Sequence, residues 1–281
     1  MKLSKNISES RSLVKILKND TGTVGLVPTM GSLHEGHISL INKSTEENDI
    51  TVVSIFVNPT QFNEKQDFDS YPRNLDEDLK ILDSYPVDFV FAPPSEEIYP
   101  EPDTRVFDFG GLEFIMEGKY RPGHFNGVAQ VVSRLFEIID PDRAYFGEKD
   151  FQQMAIIRKI VQDLKLPVEV IGCRTIREED GLAMSSRNKL LSPDERKSAA
   201  KIPEALKRAK KQAGKIPVQE IIEQTIHYLN QDPQLKTEYF EIVDEKLLQP
   251  VDSWAEKGPK RGCIAVKIGK VRLIDNIDFS F

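Results

Sequence analysis

The sequence predicts an α/β fold with a doubly wound, mostly parallel β-sheet, followed by a smaller α+β domain. Apolar or β-branched runs typical of buried strands lie at 23–28, 51–57, 87–92, 143–146 and 167–173. Segments with a helical pattern separate them, at 37–48, 74–84, 126–139 and 150–165. Strands that alternate with helices indicate βαβ units, which form a parallel sheet covered on both faces. Such sheets bind ligands beyond the carboxyl ends of their strands.

Two interruptions divide the chain. Segment 93–125 is rich in proline and glycine, and we interpret it as an insertion with a flexible loop at 118–125. After residue 176 the alternation ends, and Ser192-Pro193 predicts the start of a helix that runs to about 213. A helix at 217–230 and strands at 237–243, 262–268 and 271–275 follow. We therefore predict a Rossmann-like domain over 1–176 and an α+β domain over 177–281.

The composition is that of a globular enzyme, with 39% hydrophobic and 30% charged residues. The net charge of -7 argues against a nucleic-acid binder, because such proteins carry a basic surface that displaces counterions from phosphates. No stretch approaches the roughly 20 apolar residues that cross a bilayer, and no secretory signal is evident. Two distant cysteines, Cys173 and Cys263, favour reduced thiols. We expect a cytoplasmic protein with neither a membrane nor a nucleic-acid partner.

A turn rich in histidine and glycine follows the strand predicted at 23–28. Residues 29–37 read Thr-Met-Gly-Ser-Leu-His-Glu-Gly-His and lead into a helix. The N–H groups and dipole of a helix N-terminus attract anions, and glycine permits close approach of a ligand. His34 and His37 share one helix face, so we interpret the turn as a phosphate site. A zinc site is disfavoured, because the spacing is one residue short of HExxH and no third ligand is evident.

The chain has neither a Walker loop nor a G-x-G-x-x-G motif. A bound nucleotide would therefore need other polar turns to complete this site. Residues 146–153 follow a predicted strand, and Lys149 among them would present a mobile positive charge. Residues 184–188, Met-Ser-Ser-Arg-Asn, add hydroxyls and a guanidinium. The amides of Asn58 and Gln61 suit hydroxyl or carboxylate groups, although a proline turn with surface amides explains them equally well.

An acidic run at 76–78 raises the question of a metal ligand. We interpret Asp76, Glu77 and Asp78 instead as the acidic first turn of a helix, where carboxylates interact favourably with the helix dipole. The sequence therefore predicts no dedicated metal site formed by protein side chains.

Six blocks, in order and across both predicted domains, resemble the pantothenate synthetase family. They lie at 28–37, 56–62, 71–73, 121–125, 147–150 and 184–188. More broadly, His34-x-Gly36-His37 is similar to the HxGH signature of nucleotidylyltransferases and class I aminoacyl-tRNA synthetases, and residues 184–187 resemble their KMSKS-like loop. The short motif alone would indicate only the superfamily.

The resemblance implies an ATP-dependent ligase of coenzyme A biosynthesis that condenses (R)-pantoate with β-alanine, giving pantothenate, AMP and pyrophosphate. A pantoyl adenylate would form first, and the amine of β-alanine would then open it. The resemblance also implies a homodimer, and Mg²⁺ bound mainly through the ATP phosphates. We expect the C-terminal domain to close as a lid that protects the adenylate from water.

The resemblance further implies roles for individual residues. The catalytic residues would be His37, which would act as proton donor, and His34, Lys149, Ser185, Ser186 and Arg187. Gln61 and Gln153 would bind pantoate, with Gln61 and Asn58 also near β-alanine. The ATP site would comprise Met30, Gly31, Ser32, Leu33, His34, Glu35, Gly36, His37, Gly147, Glu148, Lys149, Asp150, Ile176, Met184, Ser185, Ser186 and Arg187. Ser32 stands where asparagine or alanine is common in the family.

Two other functions remain open on the sequence. The chain could be a nucleotidylyltransferase that leaves the nucleotide on its product, or an ATP-sensing module without catalysis. Gln61 and Gln153, with no evident segment to read a second base, disfavour the first. The full set of histidine, lysine and arginine side chains disfavours the second.

Overall fold

The computed structural model describes residues 1–18 and 22–279, and its larger sheet has six strands. These strands are β1 (Lys2–Ser4), β2 (Val24–Thr29), β3 (Ile50–Ile55), β4 (Phe89–Phe91), β5 (Arg143–Gly147) and β6 (Glu169–Cys173). Their order across the sheet is β1-β4-β3-β2-β5-β6, and every neighbouring pair is parallel. The predicted doubly wound parallel sheet is confirmed.

The strand order reverses direction at β2. Strands β3 and β4 extend the sheet on one side of β2, and β5 and β6 extend it on the other. A crevice therefore opens between the carboxyl ends of β2 and β5, at Thr29 and Gly147. The two turns that the sequence singles out leave the sheet at these two ends.

Helices cover both faces of the sheet. Those associated with it are α1 (Ile7–Lys18), α2 (Glu35–Glu47), α3 (Lys65–Ser70), α4 (Leu75–Leu82), α5 (Ser95–Ile98), α6 (Met116–Tyr120), α7 (His124–Ile139) and α8 (Phe151–Asp163). Successive strand residues point to opposite faces. Leu26 accordingly packs in a core with α1, α7 and α8, whereas Val27 packs in a second core with α2 and α4.

The C-terminal part has its own antiparallel sheet and core. Its strands are β7 (Leu235–Asp244), β8 (Lys260–Ile268) and β9 (Val271–Asp278), and its helices are α9 (Pro193–Ala199), α10 (Lys201–Gln212) and α11 (Val218–Asn230). Ile202, Ile221 and Ile264 belong to this core. Another apolar cluster joins the two parts, and in it Phe151 and Met154 meet Tyr239 and Val243. The predicted smaller α+β domain is confirmed, while a boundary at 176/177 stays a prediction.

The first two elements of the chain were not predicted from the sequence. Strand β1 and helix α1 precede the first predicted strand, and β1 spans only Lys2–Ser4. Three residues are too few to show an alternating or continuous apolar pattern. Its pairing with β4 is nonlocal, so the local sequence carries little signal for it.

Two further predictions are wrong in detail. The segment 118–125 is not a loop, because α6 and α7 occupy all of it except residues 121–123. The helix predicted from Ser192 to about 213 consists of α9 and α10, with Ala200 between them. Pro203 explains the break, since proline has no N–H to donate to the Ala199 carbonyl and its ring crowds that position.

Candidate active site

The turn between β2 and α2 folds around a buried carboxylate. Asp78 of α4 accepts the N–H of Ser32 through Oδ2 at 2.9 Å and the N–H of Leu33 through Oδ1 at 2.7 Å. Gly31 and Ser32 adopt φ values of 78° and 52°, and a Cβ on Gly31 would lie 2.8 Å from Asp78 Oδ2. Gly31 is thus required by the fold of the turn itself.

This arrangement corrects one sequence-based expectation. We expected the N–H groups of this turn to be free for an anion, yet those of Ser32 and Leu33 bond Asp78. A Cβ on Gly36 would lie 2.8 Å from the His34 ring, so internal packing accounts for this glycine too. The N–H groups of Ser32 and Leu33 are therefore not available to an anion, whereas His34, Gly36 and His37 do line the crevice.

His34 and His37 form a reciprocal cap at the start of α2. His34 Nδ1 accepts the Gly36 N–H at 3.1 Å, and His37 Nδ1 accepts the His34 N–H at 3.3 Å. Because a backbone N–H can only donate, both Nδ1 atoms are acceptors and each neutral ring carries its proton on Nε2. The ring centroids lie 4.0 Å apart. The turn thus presents two adjacent Nε2–H donors.

Both imidazoles are neutral at physiological pH. Burial, reinforced by the positive charge of Lys149, lowers the pKa of His34 to about 4. Burial, with His34 and Lys149 beside it, lowers the pKa of His37 to about 3. Negative charge entering the crevice would favour protonation of either ring.

The lowered pKa of His37 makes a pH dependence of stability testable. The unfolded chain takes up this proton near pH 6.5, above the folded pKa of about 3, so stability present at neutral pH is lost as the pH falls through this window. Asparagine can keep the cap without titrating. Between pH 6 and 4, we expect His37→Asn to show a dependence weaker by about 1.4 kcal/mol per pH unit in denaturant titrations. A slope equal to that of the wild-type protein would contradict a neutral, buried His37.

The turn after β5 presents Lys149 to the same crevice. The 3₁₀ turn Glu148–Asp150 leads into α8, and Lys149 Nζ pairs with Asp150 Oδ2 at 3.2 Å. Asn276 of β9 donates to the carbonyls of Glu148 and Lys149 at 2.7 and 3.0 Å. A Cβ on Gly147 would meet nothing within 4 Å. The C-terminal domain therefore holds this turn in place, and Gly147 borders open space.

The segment Met184–Arg187 closes the opposite wall. Ser185 caps a 3₁₀ turn by accepting the Arg187 N–H, and buried Ser186 shares a hydrogen bond of 3.2 Å with the Tyr71 hydroxyl. Arg187 pairs with Asp67 at 3.1 Å. The N–H of Met184 donates to the Ile176 carbonyl, and both residues line the same cleft.

One cleft of about 220 Å³ unites most of the predicted residues. Its lining includes Met30, His34, Gly36, His37, Asn58, Gln61, Gly147, Lys149, Asp150, Gln153, Ile176, Met184, Ser185, Ser186 and Arg187. The remaining predicted residues, Gly31, Ser32, Leu33, Glu35 and Glu148, do not line it. Leu33 is buried in a core, and Glu35 is exposed.

The three predicted amide side chains differ in how far their hydrogen-bonding groups are already used within the protein. Asn58 is 1% exposed; its Nδ2 donates to the Gly127 carbonyl at 3.0 Å and to Gln61 Oε1 at 3.2 Å. Gln61 also donates to the Met30 sulfur. The side-chain amide of Gln153 makes no hydrogen bond to any residue that the structure describes, although Gln153 lines the cleft. Asn58 therefore positions Gln61, and the Gln153 amide is free for a ligand.

Several residues of the site were not assigned roles from the sequence. Tyr71 and Arg121 lie inside blocks that carried the family resemblance, so a signal for them existed. Asp78 and Asn276 reach the site from distant parts of the chain, and nothing in their local sequence reveals it. No cluster of three or more His, Cys, Asp or Glu side chains suited to a metal occurs in residues 1–18 and 22–279.

A family model and curated relatives match this chain over almost its full length. The family described as pantoate-beta-alanine ligase matches residues 2–278. A pantothenate synthetase from Bacteroides fragilis is 51% identical over 279 residues, which cover 99% of each chain. One from Acetivibrio thermocellus is 46% identical, again over 99% of both chains.

Solved structures agree over the full length. A pantothenate synthetase from Thermus thermophilus superposes with a TM-score of 0.93 at 43% identity, covering 100% of both chains. A pantoate-beta-alanine ligase from Francisella tularensis, solved with beta-gamma ATP and beta-alanine, has a TM-score of 0.84 at 38% identity and covers 99% of this chain and 98% of its own. The resemblance drawn from the six sequence blocks is confirmed. In the part of the chain that the structure describes, no helix has the length and apolarity to cross a membrane.

Proposed function

The chain belongs to the pantoate-beta-alanine ligase family, and on that premise we propose that it condenses (R)-pantoate with β-alanine in an ATP-driven reaction. Pantothenate, AMP and pyrophosphate are the products. One observation carries the proposal: the two Nε2–H donors, the Lys149 ammonium and the free Gln153 amide all face a single cleft. Cations and N–H donors suit a triphosphate, whereas a neutral amide suits a hydroxy acid.

The first step activates the acid. A carboxylate oxygen of pantoate attacks the α-phosphorus of ATP, and the bond to the departing pyrophosphate breaks with its electron pair. Negative charge grows on the pyrophosphate and on the α-phosphate oxygens. We assign His34, His37 and Lys149 to stabilise that charge, because preorganised donors in a cleft that excludes water lower such barriers most effectively.

The second step forms the amide. The neutral amine of β-alanine attacks the acyl carbon of the adenylate, and AMP leaves with the electron pair of the acyl C–O bond. The ammonium form must lose one proton before the attack, and a second proton leaves as the amide forms. Gln61 and Gln153 would hold the pantoyl group during both steps.

The remaining predicted residues would surround the nucleotide. We assign Ile176 to the adenine, and Met184, Ser185, Ser186 and Arg187 to the phosphates, with the C-terminal domain from residue 177 onward closing as a lid. The hydrogen bonds from Asn276 to the Lys149 turn support this, because they tie a phosphate-binding group to that domain.

The decisive experiment measures pyrophosphate. With ATP and pantoate but no amine, we expect one rapid equivalent of pyrophosphate per enzyme, and β-alanine should then give multiple turnovers with free AMP. Other short hydroxy acids serve as controls and should give no burst. A product that retains the nucleotide would instead identify a nucleotidylyltransferase, and failure to release pyrophosphate would revive an ATP-sensing module.

Mg²⁺ would accompany ATP. Phosphate oxygens are its natural ligands, and Mg²⁺ commonly keeps several waters instead of entering an all-protein cage. Asp150 belongs to the same turn as Lys149, pairs with its ammonium and lines the cleft. When bound, the ion would neutralise charge on the phosphates; chelation by EDTA in the pyrophosphate assay tests the requirement.

We further propose that the protein is a cytoplasmic homodimer. Both features come from the family resemblance. Sedimentation velocity measures the oligomeric state, and a sedimentation coefficient of a single 31.9 kDa chain at micromolar concentration would contradict the dimer. Cell fractionation measures the location.

A further inference from the structure

One cationic side chain of the cleft is already paired with a carboxylate that lies outside the cleft lining. Nη2 of Arg187 donates to Oδ2 and Oδ1 of Asp67 at 3.1 and 3.3 Å. Arg187 lines the cleft, whereas Asp67, on α3, does not. Because both oxygens share one nitrogen, the pair occupies only one corner of the guanidinium. In the part of the chain that the structure describes, no other carboxylate pairs with Arg187.

Tyr71 supports the same guanidinium from the cleft wall. The Arg187 Cζ lies 5.6 Å from the centroid of the Tyr71 ring, and the Tyr71 hydroxyl shares a hydrogen bond of 3.2 Å with Ser186. Tyr71 is buried and lines the cleft itself. The side chain of Ser185 accepts the Arg187 N–H, which fixes the backbone of this turn. Arg187 therefore has a support that is independent of Asp67.

Helix α3, which carries Asp67, is attached to the protein through few contacts. It has six residues, none of them is buried, and no side chain caps its N-terminus. Phe68 packs edge-on against Phe62, with ring centroids 5.4 Å apart, and its carbonyl accepts from Arg73 Nη2 at 2.7 Å. Asp67 can therefore move away from Arg187 without opening a hydrophobic core.

The pair of Asp67 and Arg187 is weak compared with a contact between arginine and phosphate. The Asp67 side chain is 41% exposed, and an ion pair at such a surface shifts an equilibrium by no more than about fivefold. A phosphate can accept two parallel N–H bonds from a guanidinium, and a triphosphate brings several negative charges to it. A triphosphate in the cleft would therefore take Arg187 from Asp67. The carboxylate would in turn oppose the nucleotide, because the two anions compete for one cation.

We propose that Asp67 is an exchangeable counter-ion of Arg187, which it pairs with in the free enzyme and from which the phosphates of the nucleotide displace it. This inference rests on the proposed function and deepens it, because Arg187 is assigned there to the phosphates. Asp67 is then a positioning residue that touches no substrate and limits the affinity for a triphosphate. After the first chemical step, its return to Arg187 would weaken the hold on pyrophosphate and speed its departure.

Direct binding of a nucleotide tests the exchange. Calorimetry with β,γ-methylene ATP and no acid measures affinity without turnover. We expect Asp67→Asn, which keeps the shape of the side chain and removes its charge, to lower the Kd by about three- to fivefold. Asp69→Asn is the matched control, because Asp69 is exposed on the same helix and lies outside the cleft lining. It should bind with the wild-type Kd.

A second background shows whether Asp67 acts through Arg187. Arg187→Gln should weaken binding of the nucleotide. Adding Asp67→Asn to it should change the Kd by less than about twofold, since no guanidinium is left to compete for. Pyrophosphate gives an independent readout, because in Asp67→Asn its constant for product inhibition should fall by the same factor as the Kd. A merely structural role of Asp67 would strengthen the binding of neither ligand.

The outcomes separate this inference from the proposed function. A wild-type protein that binds no nucleotide, or that gives no burst of pyrophosphate with ATP and pantoate, would refute the proposed function. Normal binding in the wild type with weaker or unchanged binding in a folded Asp67→Asn would overturn only the exchange. Equal tightening in Asp69→Asn, or a tightening that persists in Arg187→Gln, would also overturn it, because either would arise from the overall charge of α3.

Discussion

Replacing Lys149 by alanine is expected to slow formation of the acyl adenylate by at least about a hundredfold, with His37→Ala giving a loss of similar size. Removal of one preorganised donor from a transition-state site costs about 3 kcal/mol, and Lys149 and the Nε2–H of His37 line the same cleft. Growing charge on the departing pyrophosphate would then lack a donor. Single-turnover pyrophosphate release with pantoate and ATP measures this step directly.

The matched control is Lys159→Ala. Lys159 lies further along α8 and pairs with Asp163, outside the cleft lining. It should retain wild-type single-turnover rates. Thermal unfolding of each variant near the wild-type midpoint would establish that the Lys149 and His37 effects are chemical. Near-normal rates in Lys149→Ala would remove this lysine from the phosphate site.

The strands that carry the site could be predicted from the sequence, because a buried strand is recognisable from the run of residues that forms it. Buried parallel strands are continuous apolar runs, and β2, β3 and β5 are visible for that reason. Their polar turns meet at one edge, so the grouping of His34 and Lys149 follows from topology alone. The family resemblance added the remaining cleft residues, including Ile176 and Gln153.

Contacts between residues that lie far apart in the chain could not be predicted from the sequence. The Asp78 carboxylate reaches the His turn from 46 positions away, and Asn276 reaches the Lys149 turn from 127 positions away. Asp78 was interpreted only as part of an acidic helix start, which it also is. The Arg187 side chain and the Asp67 carboxylate with which it pairs lie 120 positions apart.

The second large effect is expected at Asp78, which touches no substrate in the proposed mechanism. Asp78→Ala would leave the N–H groups of Ser32 and Leu33 buried without an acceptor. Each such loss costs about 1–3 kcal/mol, so we expect the free energy of unfolding to fall by about 2–6 kcal/mol. Denaturant titration measures this change.

The same variant should lose adenylate formation, because the positive φ values of Gly31 and Ser32 are held by this carboxylate and set the approach of His34.

Asp76→Ala is the matched control: Asp76 is exposed in the same first turn of α4, and its replacement should change stability by less than about 1 kcal/mol. Assays at a temperature where Asp78→Ala is fully folded separate positioning from unfolding. There we expect a slow single turnover that saturating ATP does not restore, because the imidazole donors would be misplaced in the bound complex. A folded Asp78→Ala enzyme with the rate of Asp76→Ala would mean that the histidine cap holds the turn without the carboxylate.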